Sequence, residues 1–315
     1  MNTLNTRRQW LATVFAWRLP AALVAASPSP AHADDTLPRL VVLDSTLVEI
    51  IVALGGANRI VGTVSGVEHL PELAHTPKLP GFRQSSAESI LALTPDVLLM
   101  GSDRALPQTL QQVAAAGVQV VRLGDEASEA AAEQRIRAVA HLLRRPARGE
   151  ALARRFRQEM AQARAWVARA KSQPKAIFIL AGGGRPTVAG GRGTNTAALL
   201  EMAGARNVAN DFDGYRILSQ EALLMAAPEF ILTNEDGLAP SGGAPAVLSA
   251  PGAAATPAAR AGRLITLPGR YLQGLGLSTP EGIRLLAGRL HPELESELKS
   301  GPGPGLGPEP EPELK

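Results

Sequence analysis

One stretch of this chain is written twice, and the duplication constrains the fold more tightly than any other feature. Residues 81–99 and 214–232 align without a gap. Gly81-Phe82-Arg83 matches Gly214-Tyr215-Arg216, Ser86 and Glu88 match Ser219 and Glu221, and Pro95-Asp96 matches Pro228-Glu229. Each copy then enters an apolar run of strand type. Ser86 and Ser219 suit a helix N-cap, and Glu88 and Glu221 fall in the first turn, where the helix dipole favours an anion. Pro95 and Pro228 stop each helix before the strand. Copies this far apart argue for two similar lobes rather than a stacked solenoid.

The segments around the copies alternate in period. Strand patterns at 40–43 and 59–63 flank a helix over 46–54 that Gly55-Gly56 closes. A strand at 97–100, a helix at 107–116 and a strand at 118–123 follow the first copy. The second half repeats the theme with a strand at 176–180, a helix at 196–203, a strand at 263–267 and a helix at 280–290. This order predicts βαβ units and mostly parallel sheets.

Between the halves, residues 127–171 read as helix broken at Arg145-Pro146. The second part carries Leu152, Phe156, Met160, Ala163 and Val167 at helical spacing. From 149 to 171 it would run about 35 Å at about 1.5 Å per residue, a lobe-to-lobe distance. The expected fold is therefore α/β, with two Rossmann-like lobes joined by a single long helix and a ligand cleft between the lobes. The divisions are an export signal peptide at 1–33, an N-terminal lobe at 34–145, a bridging helix at 146–173 and a C-terminal lobe at 174–298. Residues 299–315, with repeated Gly-Pro and Glu-Pro, predict a disordered tail.

The first 33 residues read as a targeting segment. Arg7-Arg8 gives a basic twin-arginine start, an apolar stretch follows, and Ala31-His32-Ala33 forms a small-x-small cleavage site. Either the Tat or the Sec route fits it. Arg7, Arg8 and Arg18 account for the whole excess of 32 Lys+Arg over 29 Asp+Glu, so the remaining chain is balanced. A nucleic-acid footprint is thereby not supported. The absence of cysteine suits an oxidising compartment without a disulfide scaffold. No later apolar run is long enough to span a bilayer.

The chemistry is that of a binder, with no catalytic constellation. Gly182-Gly183-Gly184 and Gly191-Arg192-Gly193 fail the dinucleotide pattern, and no P-loop or Gly-x-Ser-x-Gly is present. His69 and His75 share a loop with Glu68 and Glu72, but without metal-ligand spacing. His141 and His291 are expected at the surface. More informative are the two tyrosines after the targeting segment, Tyr215 and Tyr271, each beside an arginine, Arg216 and Arg270. A phenol beside a guanidinium loses its proton more easily, and tyrosinate is a ligand for ferric haem iron. Packing of Tyr215 and Phe82 between lobes is the alternative.

Taken together, the repeat and long helix resemble the substrate-binding proteins of ABC importers for vitamin B12, siderophores and haem. Leu79-Pro80-Gly81-Phe82-Arg83, the segment 194–207, Gly214-Tyr215-Arg216-Ile217-Leu218-Ser219 and Leu267-Pro268-Gly269-Arg270-Tyr271-Leu272 are most similar to the haem-binding branch. The resemblance spans about 38–294. It implies a monomeric periplasmic carrier, not an enzyme and without a catalytic cofactor. Haem is the transported ligand, held between the lobes and delivered to an inner-membrane ABC permease dimer. It also implies that Glu88 and Glu221 dock on permease arginines.

One position departs from the branch. Its iron-ligating tyrosine falls at Phe82, which has no donor atom, and the histidine some members carry has no counterpart in 192–196. Burial of porphyrin contributes on the order of 10 kcal/mol before association costs, so binding does not require a ligand. The candidates for the iron ligand are Tyr215 and Tyr271, with Phe82, Arg83, Arg192 and Arg216 lining the pocket. Another tetrapyrrole, such as cobalamin, or a ferric siderophore is the alternative cargo.

Overall fold

The computed structural model describes residues 37–80, 84–101, 107–180 and 187–294. The export-signal reading, the C-terminal tail and the pocket candidates Phe82 and Arg83 lie outside the described residues. The N-terminal lobe contains β1 (Leu40–Val42), α1 (Ser45–Ala53), β2 (Ile60–Val64), β3 (Lys78–Leu79), α2 (Ala87–Leu91), β4 (Val97–Met100), α3 (Pro107–Ala115) and β5 (Gln119–Arg122). Its sheet is wholly parallel, in the order β3-β2-β1-β4-β5. The central strands β1 and β4 are short apolar runs buried on both faces, as parallel sheets covered by helices require, while the edge strands β3 and β5 expose Lys78, Gln119 and Arg122.

Two helices follow, α4 (Glu129–Leu142) and α5 (Pro146–Val167). Pro146 starts α5 at its first turn, where a missing N–H costs nothing. Helix α5 buries Ala153, Phe156, Met160 and Ala163, as its spacing predicts. It packs on α4 along one side and on the C-terminal α11 (Thr279–Leu290) along another. The helical segment between the sheets is thus a side-by-side pair, not one continuous rod.

The C-terminal lobe contains β6 (Lys175–Leu180), β7 (Val188–Gly190), α6 (Asn195–Met202), β8 (Arg206–Asn207), β9 (Tyr215–Ile217), α7 (Gln220–Ala226) and β10 (Phe230–Asn234). Helices α8 (Gly243–Leu248) and α9 (Pro257–Arg260), strand β11 (Leu264–Leu267) and helix α10 (Gly269–Leu272) come before α11. Its sheet runs β11-β10-β6-β7-β9. The sheet is mostly parallel, as expected, with an antiparallel addition at one edge. One edge of β6 is shared: β8 pairs in parallel with its first residues, while β7 pairs antiparallel with Ile179 and Leu180. Strand β9 then adds antiparallel to β7, so the two form a flap at the carboxyl end of β6.

The duplication extends to backbone detail. Ser86 Oγ accepts the Ser89 N–H, and Ser219 Oγ accepts the Ala222 N–H. Before the two prolines, Thr94 and Ala227 take left-handed conformations, with φ of 46° and 44°. The acid after each proline pins the first residue or entry of a central strand. Asp96 Oδ2 accepts the Arg39 N–H at 2.7 Å, and Glu229 Oε1 accepts the Lys175 N–H at 3.2 Å. His291, expected at the surface, is fully buried. Its Nε2 lies 3.1 Å from the Ala203 carbonyl oxygen, and a side chain at Gly204 would collide with the ring.

The lobes meet through the segment 273–278, which leads from α10 into α11. Ser45 Oγ donates to Gln273 Oε1 at 2.7 Å, and Arg135 of α4 donates to the Leu275 carbonyl at 2.6 Å. Burial lowers the Arg135 pKa, a shift that Asp44 and Glu126 oppose. Gly274 and Gly276 let this segment approach α1: a Cβ on Gly274 would stand 2.8 Å from Thr46 Cγ2. Glu49, a single charge in an otherwise apolar helix, closes the contact. Its buried carboxylate accepts the Ser278 hydroxyl at 2.8 Å and the Ser278 N–H at 3.3 Å, and His69 Nε2 lies 3.2 Å away. A carboxylate of one lobe therefore caps a helix of the other.

Glu49→Ala would leave Ser278 and the α11 N-terminus unpaired in a buried place. Chemical denaturation of this variant should show a loss of about 2–4 kcal/mol. Glu49→Gln, which keeps an acceptor, should lose less. A loss under about 0.5 kcal/mol for Glu49→Ala would show that the contact adds nothing to stability.

Candidate ligand-binding site

The β7–β9 flap presents the best-formed apolar surface near the carboxyl ends of the strands, the side of an open α/β sheet where ligands bind. Its register sets Leu180, Val188 and Ile217 in one cross-strand row and Gly190 opposite Tyr215 two rows along. Residues two apart on a strand share a face. Phe178, Leu180, Val188, Tyr215 and Ile217 therefore form one face. The Phe178 and Tyr215 rings meet edge to face at 6.3 Å. Leu180, Tyr215 and Ile217 are 51%, 42% and 69% exposed, an unusual concentration of uncovered apolar surface.

Tyr215 is held from behind. Its phenol oxygen lies 3.4 Å from Thr196 Oγ1 at the start of α6, and Thr196 itself is buried. Gly190 makes room for this arrangement. A Cβ there would stand 2.4 Å from Thr196 Oγ1 and 3.3 Å from the tyrosine ring.

The neighbouring arginines do not share this face. Arg216 follows Tyr215 on β9 and so points to the opposite side, where its guanidinium lies 5.6 Å from the centre of the Phe212 ring. The sequence placed Arg216 beside the phenol; strand alternation separates them. Arg192 is exposed, donating to Asp213 Oδ1 at 2.9 Å and to the Asn210 carbonyl at 2.7 Å. The Asp213 pairing raises the Arg192 pKa and lowers that of Asp213. Such an exposed pair is readily exchanged for another anion.

Tyr271 behaves unlike the sequence expectation. It is 3% exposed, and Arg270 donates to its hydroxyl at 2.8 Å while stacking on its ring. Burial outweighs the favourable arginine and pushes the phenol up to about 12, with Glu281 adding to the rise. The neighbouring guanidinium therefore does not make this phenol an easy tyrosinate. Gly282 packs directly on the ring.

Glu88 and Glu221 both stand exposed in the first turns of α2 and α7. The Glu221 carboxyl is held below its usual range by its own backbone N–H and by the Ser219 hydroxyl. The two faces differ beyond the shared acid. Ser86, Ala87, Glu88, Leu91, Ala92 and Gln112 line a shallow hollow of about 690 Å³. On α7 the equivalent surface carries exposed Leu224 and Met225, the latter 86% uncovered. Among the described residues no group of three metal-ligating side chains exists, and His69 is engaged with Glu49 instead. No helix among them is long and apolar enough to cross a membrane.

A two-lobed α/β protein with an exposed apolar wall at its strand ends is a ligand-binding protein in class. The family model for periplasmic binding proteins matches residues 40–271, and the chain belongs to that family. Among solved structures, the periplasmic heme-binding protein BhuT in complex with two hemes superposes with a TM-score of 0.76 at 34% identity. That match covers 82% of this chain and 99% of BhuT. The apo form of the heme-binding protein RhuT from Roseiflexus sp. RS-1 also gives 0.76 and 34%, over 80% and 99% of the two chains. A periplasmic heme-binding protein from Pseudomonas aeruginosa gives 0.75 and 33%, over 81% and 94%. Comparison with curated protein sequences returned no match.

Of the residues on this face, the sequence pattern singles out Tyr215, whereas Thr196, Leu180 and Ile217 join it only through the pairing of β6, β7 and β9. The pattern also passes over Glu49 and Ser278. The lone acid in an apolar helix was the available signal for Glu49.

The buried Tyr271 phenol has a consequence at high pH. The folded state holds this proton more tightly than the unfolded chain, so stability falls as pH rises from about 10 towards 12. Tyr271→Phe should remove that part of the alkaline loss, measured by denaturant melts at successive pH values. An unchanged slope in the variant would contradict the assignment.

Proposed function

We propose that this chain is a periplasmic haem carrier, capturing ferric haem between its lobes and delivering it to the permease of an ABC importer. The observation that carries the reading is the exposed wall of Leu180, Val188 and Ile217, edged by a phenol that a buried hydroxyl holds in place. A flat apolar macrocycle suits such a wall, and a phenol at its rim suits ferric iron. The structural likeness to heme-binding proteins at 33–34% identity supports the same cargo.

In this reading Tyr215 is the iron ligand, and buried Tyr271 is a packing residue. Arg192 can exchange Asp213 for a haem propionate. Phe82 and Arg83 are assigned to the opposite wall on the symmetry of the repeat. Arg216 stands behind the flap and shapes it through Phe212. Residues 34–145 and 174–298 act as the lobes, with 146–173 limiting how far they part, and 1–33 directs export to the periplasm. Glu88 and Glu221 meet the two subunits of the permease. The chain works as a monomeric carrier and not as an enzyme.

Titration of the purified protein with ferric haemin tests the reading. The expected result is saturable binding with a tyrosinate-to-iron charge-transfer band that Tyr215→Phe abolishes and Tyr271→Phe leaves in place. Part of the affinity should survive in Tyr215→Phe, because burial of the macrocycle contributes on the order of 10 kcal/mol before costs. Haemin that fails to bind, or that is displaced stoichiometrically by cobalamin or a ferric siderophore, would sink the cargo assignment.

A further inference from the structure

The phenol of Tyr215 is backed by a hydroxyl chain whose proton directions can be counted. Thr194 Oγ1 caps α6 by accepting the Ala197 N–H at 3.1 Å, and its only proton goes to the Gly191 carbonyl at 2.8 Å. In its 3.2 Å contact with Thr196, Thr194 therefore acts as the acceptor. Thr196 can then donate to Thr194 while the phenol is neutral, with the phenol free to donate to Thr196 across a long contact of 3.4 Å. The Thr194 end of the chain Tyr215–Thr196–Thr194–Gly191 is fixed in direction, and Thr196 is the hydroxyl whose proton can turn.

Both threonines are buried, at 1% and 5% exposure, so water does not compete for these protons. Gly190 lies beneath them and admits no side chain without striking Thr196. The hydroxyl is thus fixed in place, while its proton is free to turn. Once the tyrosine oxygen is bound to iron it has no proton to give. Thr196 can then rotate its own proton from Thr194 to the tyrosinate, and Thr194 keeps its bonds to Ala197 and Gly191. Arg216, on the far face of β9, cannot do this.

We infer that Thr196 is the positioning residue for the tyrosine ligand, donating the hydrogen bond that sets the direction and donor strength of the Tyr215 oxygen towards haem iron. This rests on Tyr215 being the ligand. A hydrogen bond to the ligating oxygen withdraws charge from it and should move the tyrosinate-to-iron transition to higher energy. It also holds the ring against rotation about χ1, so haem should leave more slowly when Thr196 is present.

The test compares the full-length exported protein with Thr196→Val, Thr196→Ser and Tyr215→Phe, each loaded with ferric haemin. Thr196→Val is isosteric and should shift the charge-transfer band to lower energy and speed haem transfer to apomyoglobin about five-fold, the factor of one ordinary hydrogen bond. Thr196→Ser should restore both values, which a purely structural role for the threonine would not require. If Tyr215→Phe abolishes the band while Thr196→Val matches the parent in band and rate, the inference fails and the ligand assignment stands. If Tyr215→Phe leaves the band unchanged, the ligand assignment fails and takes this inference with it.

Discussion

Among the described residues, the buried carboxylate of Glu49 is the one charged contact that ties an N-terminal helix directly to the start of a C-terminal one. A charge placed away from water is tolerated only when paired and hydrogen-bonded. Here the partners are the hydroxyl and N–H of Ser278, which open a helix of the other lobe, and the ring of His69. The interaction is self-locking: separating the lobes would strand a carboxylate and a helix terminus together. Around it, Gly274 and Gly276 bring the backbone onto Thr46, and Arg135 reaches Leu275. Beside these polar contacts, one apolar cluster runs from Leu47 and Ile51 through Ile136, Phe156 and Met160 of the helix pair to Leu199 and Leu286 of the other lobe.

In the proposed reading, binding falls to the parts least tied to this shared core. Among the described residues the β7–β9 flap pairs with Ile179 and Leu180 of β6 and is tied to β8 by Asn207, whose side-chain N–H donates to the Gly190 carbonyl at 3.0 Å, with its outer strand at an open edge. Its inner face, Ala189 with Phe212 and Ile179, belongs to a buried cluster. Its outer face is uncovered. The flap is thus anchored on one face by the core and open on the other, which in the proposed reading is the face that meets haem. Thr194 and Thr196 connect that phenol to the start of α6, so the ligand end of the lobe is joined to a regular element rather than to a loose loop.

Much of this was legible in the sequence, for physical reasons that differ by element. The repeat showed the two lobes because its signals are local: Ser86 and Ser219 cap helices, and Pro95 and Pro228 end them. Helix α5 was legible from the spacing of Phe156, Met160 and Ala163. The β9 strand was not, since three exposed residues carry no alternation of burial to detect. Tyr271 shows the same limit in electrostatics. Its arginine neighbour is visible in the sequence, but the burial that overrides it comes from Gly282 and α11, which only the fold brings near. His291 was misread because a residue before proline at a helix end is usually solvated, whereas here Gly204 leaves a slot for the ring.

The duplication also explains which features diverged and which did not. Both copies keep the capping serine, the first-turn glutamate and the acid that pins the central strand, because each lobe needs its own helix start and strand entry. In the proposed reading the two glutamates have a further reason to persist, since a two-fold permease offers two equivalent sites. Iron is different: one tyrosinate oxygen is enough to ligate it from the protein side. In the proposed reading, a second phenol in the N-terminal copy is not needed once the C-terminal copy supplies Tyr215, and phenylalanine at position 82 keeps an apolar ring without a hydroxyl. Loss of the donor from one copy is therefore consistent with haem capture, provided the remaining phenol is held as firmly as Thr196 holds it.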